Sequence, residues 1–202
     1  AETGSKVVGV VVDTGSDASV RNLVAEAKNL LGGIDILVNC AARPGGQGAV
    51  PTLAEITEEE FNDHMNVKVM GYLRCAREVA PLMIEQGWGR IINIGSEVVH
   101  LGITPFTAYV AAKGGQNGFN RSLAHELAPW NITVNMVAPG WIPVERHEND
   151  PQDLKDGYFA SIPMQRWGKP EDLAGTIVYL ASEASAFVTG QNIHVNGGVT
   201  VH

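Results

Sequence analysis

The sequence predicts an α/β fold, a doubly wound parallel sheet with helices on both faces. Short apolar runs alternate with amphipathic stretches of helical period along the whole chain. The short runs are apolar almost throughout, which marks strands buried on both faces rather than one. No internal repeat, low-complexity tract or charge block interrupts the pattern, so the 202 residues read as one domain, 1–202.

The elements follow in order. Residues 7–12 are β-branched and end at Asp13-Thr14-Gly15, a strand meeting a turn. Ser16 or Asp17 caps a helix whose buried face is Val20, Leu23, Val24, Ala27, Leu30 and Leu31, and Gly32-Gly33 stops it. Residues 34–38 form a second buried strand, and a Gly/Pro-rich loop spans 42–51. Thr57 and Glu60 make a capping box before a long helix that runs to about Gln86, with a kink expected at Pro81. Residues 90–94 are a third strand, 109 to about 127 a helix, and 132–137 a fourth strand. Residues 139–150 are loop, 151–160 a short lid helix, 170–181 a helix opened by proline, and 192–195 a final strand.

Composition excludes several functions. At 45% hydrophobic and 18% charged, the chain can bury a core and does not resemble a disordered one. A net charge of -8 with only 14 Lys and Arg leaves no basic stripe, so neither nucleic acid nor an anionic membrane is an expected partner. No apolar run approaches the ~18 residues of a membrane helix, and no signal-peptide pattern opens the chain. Cys40 and Cys75 cannot build a disulfide framework; they read as free thiols of a reducing compartment, the cytoplasm. The histidines at 64, 100, 125, 147, 194 and 202 show no metal-ligand spacing, so no metal is expected.

In a parallel sheet, ligands bind beyond the carboxyl ends of the strands. Asp13, Asn39, Ser96 and Pro139-Gly140 all follow predicted strands. Tyr109 and Lys113, four apart, share a helix face. Such a pair is commonly a solvated face. Near a cleft, however, an ammonium lowers a phenol's pKa and lets it exchange a proton with an alcohol or carbonyl. Ser96 can hold the reacting oxygen, and the small residues after Asn39 admit a flat ligand. A serine-hydrolase reading fails, because Ile94-Gly95-Ser96-Glu97-Val98 is not G-x-S-x-G.

These residues carry a resemblance. In order they are Asp13, Asn39-Cys40-Ala41-Ala42, Ile94-Gly95-Ser96, Tyr109-x-x-x-Lys113, Pro139-Gly140, the run Arg166 to Asp172, Thr189-Gly190-Gln191 and Val195-Asn196-Gly197-Gly198. From about Val7 onward the chain resembles the short-chain dehydrogenase/reductase family, nearest to reductases of the 3-oxoacyl-carrier-protein kind. The resemblance implies a Rossmann-like sheet and an NAD(P)-dependent oxidoreductase that moves hydride between nicotinamide and a ketone or secondary alcohol. It implies Tyr109 as general acid/base, Ser96 orienting the oxygen, and Lys113 tuning the tyrosine and holding the nicotinamide ribose. Asp13 and Thr14 would meet the adenine side; Asn39, Ala41 and Ala42 would line the cofactor channel; Pro139, Gly140 and the Ile142 backbone would face the carboxamide. It also implies NAD or NADP as cofactor and a homo-oligomer, a tetramer or a dimer.

The chain departs from the family at its front. The glycine-rich phosphate turn and the strand after it are absent, and Thr3-Gly4-Ser5-Lys6-Val7-Val8-Gly9 leads into a strand rather than a helix. Roughly 45–50 residues, two βα units, are expected to precede Ala1 in a protein of about 250 residues. Anchoring on Phe61 and Gly71 places Lys68 where the family often has a proton-relay asparagine, with Asn66 pointing elsewhere. Val144 stands where a threonine often bonds the carboxamide. Trp88, Trp141 and Trp167 read as packing, with Trp141 opening the substrate loop of 141–163. Glu145 to Glu148 read as solvated loop or lid, and His100 as a pocket candidate. A non-catalytic relative acting as a binding or scaffold subunit is the alternative function.

Overall fold

The structure is a computed structural model that describes residues 4–42 and 50–201. Four parallel strands form one sheet in sequence order: β1 (Ile36–Asn39), β2 (Gly89–Ile94), β3 (Ile132–Pro139) and β4 (Asn192–Val195). The helices are α1 (Asp17–Leu31), α2 (Glu58–Met65), α3 (Gly71–Gln86), α4 (Val98–Leu101), α5 (Thr107–Leu127), α6 (Gln152–Ala160) and α7 (Pro170–Ala181).

The apolar runs earn their double burial. On one face of the sheet Ile91 and Val134 pack with Val79 and Met83 of α3, Ala124 and Leu127 of α5, and Val24 of α1. On the other, Ile92 and Val137 pack with Leu180 of α7 and its neighbours Leu173 and Ile177. Adjacent residues of β2 thus feed opposite cores, as the period of a strand requires. The register sets Ile91 beside Val134 and Val137 beside Ile193, so the carboxyl ends of all four strands come out on one edge of the domain.

The predicted caps form. Ser16 accepts from Ser19 N at the start of α1, and Gly32 ends that helix at φ 90, a conformation glycine adopts without strain. Thr57 and Glu60 exchange both bonds of the capping box at α2.

Two expectations are corrected. Residues 7–12 are not a strand: none of the described residues pairs with them, and Val11 is 97% exposed. β-Branched composition favours an extended chain, but a strand exists only through the partner that takes its hydrogen bonds. The long helix is interrupted at Asn66–Met70, where one π-helical turn closes with Gly71 N donating to Asn66 O, and Pro81 stays within α3. The loop predicted at 42–51 lies largely outside the described residues.

Candidate active site

Three predicted residues meet at the end of β2. Ser96 stands two residues past the strand, and Tyr109 and Lys113 lie one turn apart near the start of α5. Lys113 is 3% exposed and its Nζ donates to Ile94 O at 2.9 Å, tying α5 to the strand end. The Ser96 hydroxyl lies close enough to the Tyr109 phenol to favour its ionised form. The electrostatics differ from expectation. Burial pushes the Tyr109 phenol up, against the opposing pull of the Ser96 hydroxyl and the Arg146 charge. Lys113 is pushed down to about 8, first by burial and then by the charge of Lys68. Lys113 Nζ lies 5.9 Å from the Tyr109 ring centroid, so desolvation outweighs its charge, and the tyrosine is a neutral O–H donor rather than a poised phenolate.

Lys68 joins this group. The π-turn carries it inward to 0% exposure, with Nζ 2.8 Å from His64 Nδ1 and 5.1 Å from the Tyr109 ring centroid. Its carbonyl accepts from Gln116 Nε2 of α5 at 2.8 Å. Asn66 points away, as expected, and its Oδ1 accepts from Arg74 at 2.8 Å.

The other predicted residues are placed around this centre. Asn39 ends β1, but its side chain turns into the sheet. Asn39 Nδ2 donates to Asn93 Oδ1 at 2.9 Å, and Asn93 Nδ2 donates to Asn120 Oδ1 at 3.0 Å. Asn39 therefore ties strand ends together with its side chain instead of presenting it to a channel. Ala41 and Ala42 follow it, small and exposed. Asp13 and Thr14 enter α1 rather than ending a strand. Asp13 Oδ1 accepts from Gly15 N at 2.8 Å, and Thr14 O accepts from Arg74 at 3.0 Å. Pro139 closes β3. At Gly140 an added Cβ would meet the Tyr158 hydroxyl at 2.6 Å, so that approach requires glycine. Ile142, two residues on, lines with Gly140 and Trp141 a pocket of about 430 Å³ that Ser96, Tyr109 and Lys113 do not line.

Comparison with known proteins identifies the family. A family model described as enoyl-(acyl carrier protein) reductase matches residues 1–200. The 3-oxoacyl-acyl-carrier-protein reductase of Aquifex aeolicus is 37% identical over 196 residues, 97% of this chain and 77% of that protein. The Haemophilus influenzae protein of the same name is 37% identical over 97% of this chain and 79% of its own length. A crystal structure of a short-chain alcohol dehydrogenase from Sinorhizobium meliloti superposes with a TM-score of 0.89 at 31% identity, covering 98% of this chain and 78% of that one. The chain belongs to the short-chain dehydrogenase/reductase family. It is an NAD(P)-dependent oxidoreductase acting on a ketone or the matching alcohol.

The residues present suit the nicotinamide half of such a cofactor. Ile94 O takes one of the donors of the buried Lys113 amine, which leaves others for a ribose diol beside Tyr109. Among the described residues no glycine-rich turn opens a helix to take a pyrophosphate. Other family motifs prove to be scaffold. Arg166 donates to both oxygens of Asp172 at 2.7 and 2.9 Å, while Asp172 accepts from Lys169 N to cap α7. Thr189 Oγ1 accepts from Val134 N at 3.0 Å at the edge of β3.

Around the pocket the tryptophans pack as read: Trp141 contacts Tyr158, Trp167 and His147 edge-on, with ring centroids 5.4 to 5.8 Å apart. His100 meets His194 at 4.8 Å between ring centroids. Sequence reasoning missed His64, Glu97, Tyr158 and Asn196. The signal for Glu97 was present: a carboxylate immediately after Ser96 in an otherwise apolar run.

Proposed function

We propose that this oxidoreductase reduces 3-oxoacyl thioesters or ketones of similar shape, with Tyr109 as the acid. The observation that carries this reading is the half-buried phenol of Tyr109, kept neutral by desolvation and set with Ser96 beside the buried Lys113 amine at the carboxyl end of β2. NAD(P), when bound, supplies the hydride. The Ser96 hydroxyl holds the ketone oxygen by a hydrogen bond. The Tyr109 O–H gives its proton to that oxygen as the alcohol forms. Lys113 orients the ribose and stabilises the phenolate left behind, and Lys68 with His64 returns a proton to it. NAD(P) would be held by Asn39, Ala41 and Ala42, by Asp13 and Thr14, and by the backbone of Pro139, Gly140 and Ile142.

The 3-oxoacyl class is supported by the names of the relatives at 37% identity. A neutral tyrosine favours reduction over oxidation at neutral pH, because the reductive direction consumes a proton. A homo-oligomer, tetramer or dimer, is supported by the exposure of the apolar side chains of Val178, Phe187 and Val201. The free cysteines suit the cytoplasm.

Acetoacetyl-coenzyme A with NADPH or NADH tests the reading, alongside thermal unfolding with each nucleotide. The expected result is consumption of reduced nicotinamide and a rise in Tm with the preferred nucleotide. A Tm rise without turnover contradicts the substrate class. The absence of both effects contradicts the catalytic assignment.

A further inference from the structure

Glu97 follows Ser96 and is 2% exposed, yet none of the groups that hold it is a cation. The Tyr158 hydroxyl of α6 donates to one carboxylate oxygen. Asn196 Nδ2, beyond β4, donates to the other at 2.8 Å. The Trp141 backbone N–H, beyond β3, lies close enough to favour the charged carboxylate. The Tyr158 hydroxyl is used twice, for it accepts from that same Trp141 N–H at 2.7 Å. Glu97 N donates to Pro139 O at 3.2 Å. One carboxylate thus ties together the end of β2, the loops after β3 and β4, and the lid helix.

A buried carboxylate is an expensive way to fill space, and an apolar side chain of similar volume would pack there at lower cost. What the carboxylate alone provides is acceptor capacity toward three separate segments at once. Through the Tyr158 hydroxyl it reaches Trp141, one residue before Ile142, while Glu97 itself adjoins Ser96. We propose that Glu97, acting through Tyr158, is a positioning residue that sets the 140–142 loop, and with it the nicotinamide, against the ketone held by Ser96. This rests on the oxidoreductase reading above. Neither residue touches a reacting atom. Their contribution is geometric, and a misplacement of about 1 Å between hydride donor and acceptor costs on the order of 100-fold in rate.

The test is a double-mutant cycle on the full-length protein with acetoacetyl-coenzyme A as substrate. Tyr158→Phe keeps the ring stacked on Trp167, at 5.8 Å between centroids, and so preserves the packing. Tyr158→Phe and Glu97→Ala are each expected to lower kcat by about 10- to 100-fold. Nucleotide affinity should stay within about threefold, since most nucleotide contacts lie elsewhere. The primary isotope effect with deuterated nicotinamide should rise in both, because hydride transfer becomes the slow step. The double variant should be no worse than the poorer single one, as expected of residues acting as a unit. Glu97→Gln, which keeps an acceptor for Tyr158, should recover part of the rate. Amide hydrogen exchange at Trp141 gives a readout without turnover: protection is lost in both single variants. Multiplying losses, an unchanged isotope effect or unchanged Trp141 protection would each overturn the proposal. An inactive parent protein would instead sink the oxidoreductase reading, and the exchange experiment would still decide whether Glu97 fixes the loop.

Discussion

Two polar clusters lie at equal depth in this domain and are built on opposite principles. Asn39, Asn93 and Asn120 cross the sheet as a chain of amides, each side chain spent on the next, and Asn120 Nδ2 reaches on to Gln191 O at 3.4 Å. Beside them Lys68 and Lys113 bring two like charges into the interior, with an imidazole and a carbonyl as hydrogen-bond partners and an aromatic ring between them. The first cluster gains stability from its satisfied hydrogen bonds. The second loses stability to desolvation and like-charge repulsion. Burial does not separate scaffold from site here; what separates them is whether the polar groups are spent on one another or held ready for a ligand.

The comparison can be broken by substitution. The largest effect is expected from Tyr109→Phe, which removes the proton donor and leaves the packing: turnover should fall by about 10²- to 10⁴-fold. Tm and nucleotide affinity should be unchanged in thermal melts and binding titrations. Asn93→Ala should do the reverse. It strands Asn39 Nδ2 and Asn120 Oδ1, at a cost of about 2–4 kcal/mol. Tm should drop by roughly 2–4 °C for each of those kcal/mol, with kcat per folded molecule nearly preserved. Lys68→Met should lower turnover by less than the ~10²-fold of a group that itself moves the proton to substrate. It should also move the titration of Lys113 back toward higher pH, read from the alkaline limb of the rate profile, because Lys68 is the second cause of its depression.

The smallest effect is a pH dependence of stability. Lys113 titrates at about 8 in the fold against 10.5 for an ordinary lysine, so the unfolded chain holds the proton more tightly. The penalty on the fold is full below about 8 and is relieved as pH rises toward 10.5. The parent should therefore gain Tm across that window relative to Lys113→Met, which has nothing there to titrate.

Much of the scaffold was legible because it is written in local chemistry. Ser16 and Gly32 bound α1, Thr57 and Glu60 open α2, and the continuous apolar runs of β2 and β3 announce burial on both faces. Residues 7–12 misled because strand composition says nothing about whether a partner strand lies alongside. Ser96, Tyr109, Lys113 and Lys68 were picked out by the resemblance to the family's motifs, and the structure places the four near one another. The protonation state of Tyr109 was not, because it depends on how deeply the fold desolvates the phenol, a quantity no spacing encodes. Asn39 shows the same limit: its position was readable, but whether the amide faced a ligand or Asn93 depended on a strand 54 residues away.

The most direct test of this contrast is the Tm and turnover of Lys113→Met at neutral pH. If the buried lysine is held against stability for the sake of chemistry, the variant melts higher than the parent and no longer reduces acetoacetyl-coenzyme A. A variant that melts lower, or that still turns over, would show that Lys113 belongs with the amides as scaffold.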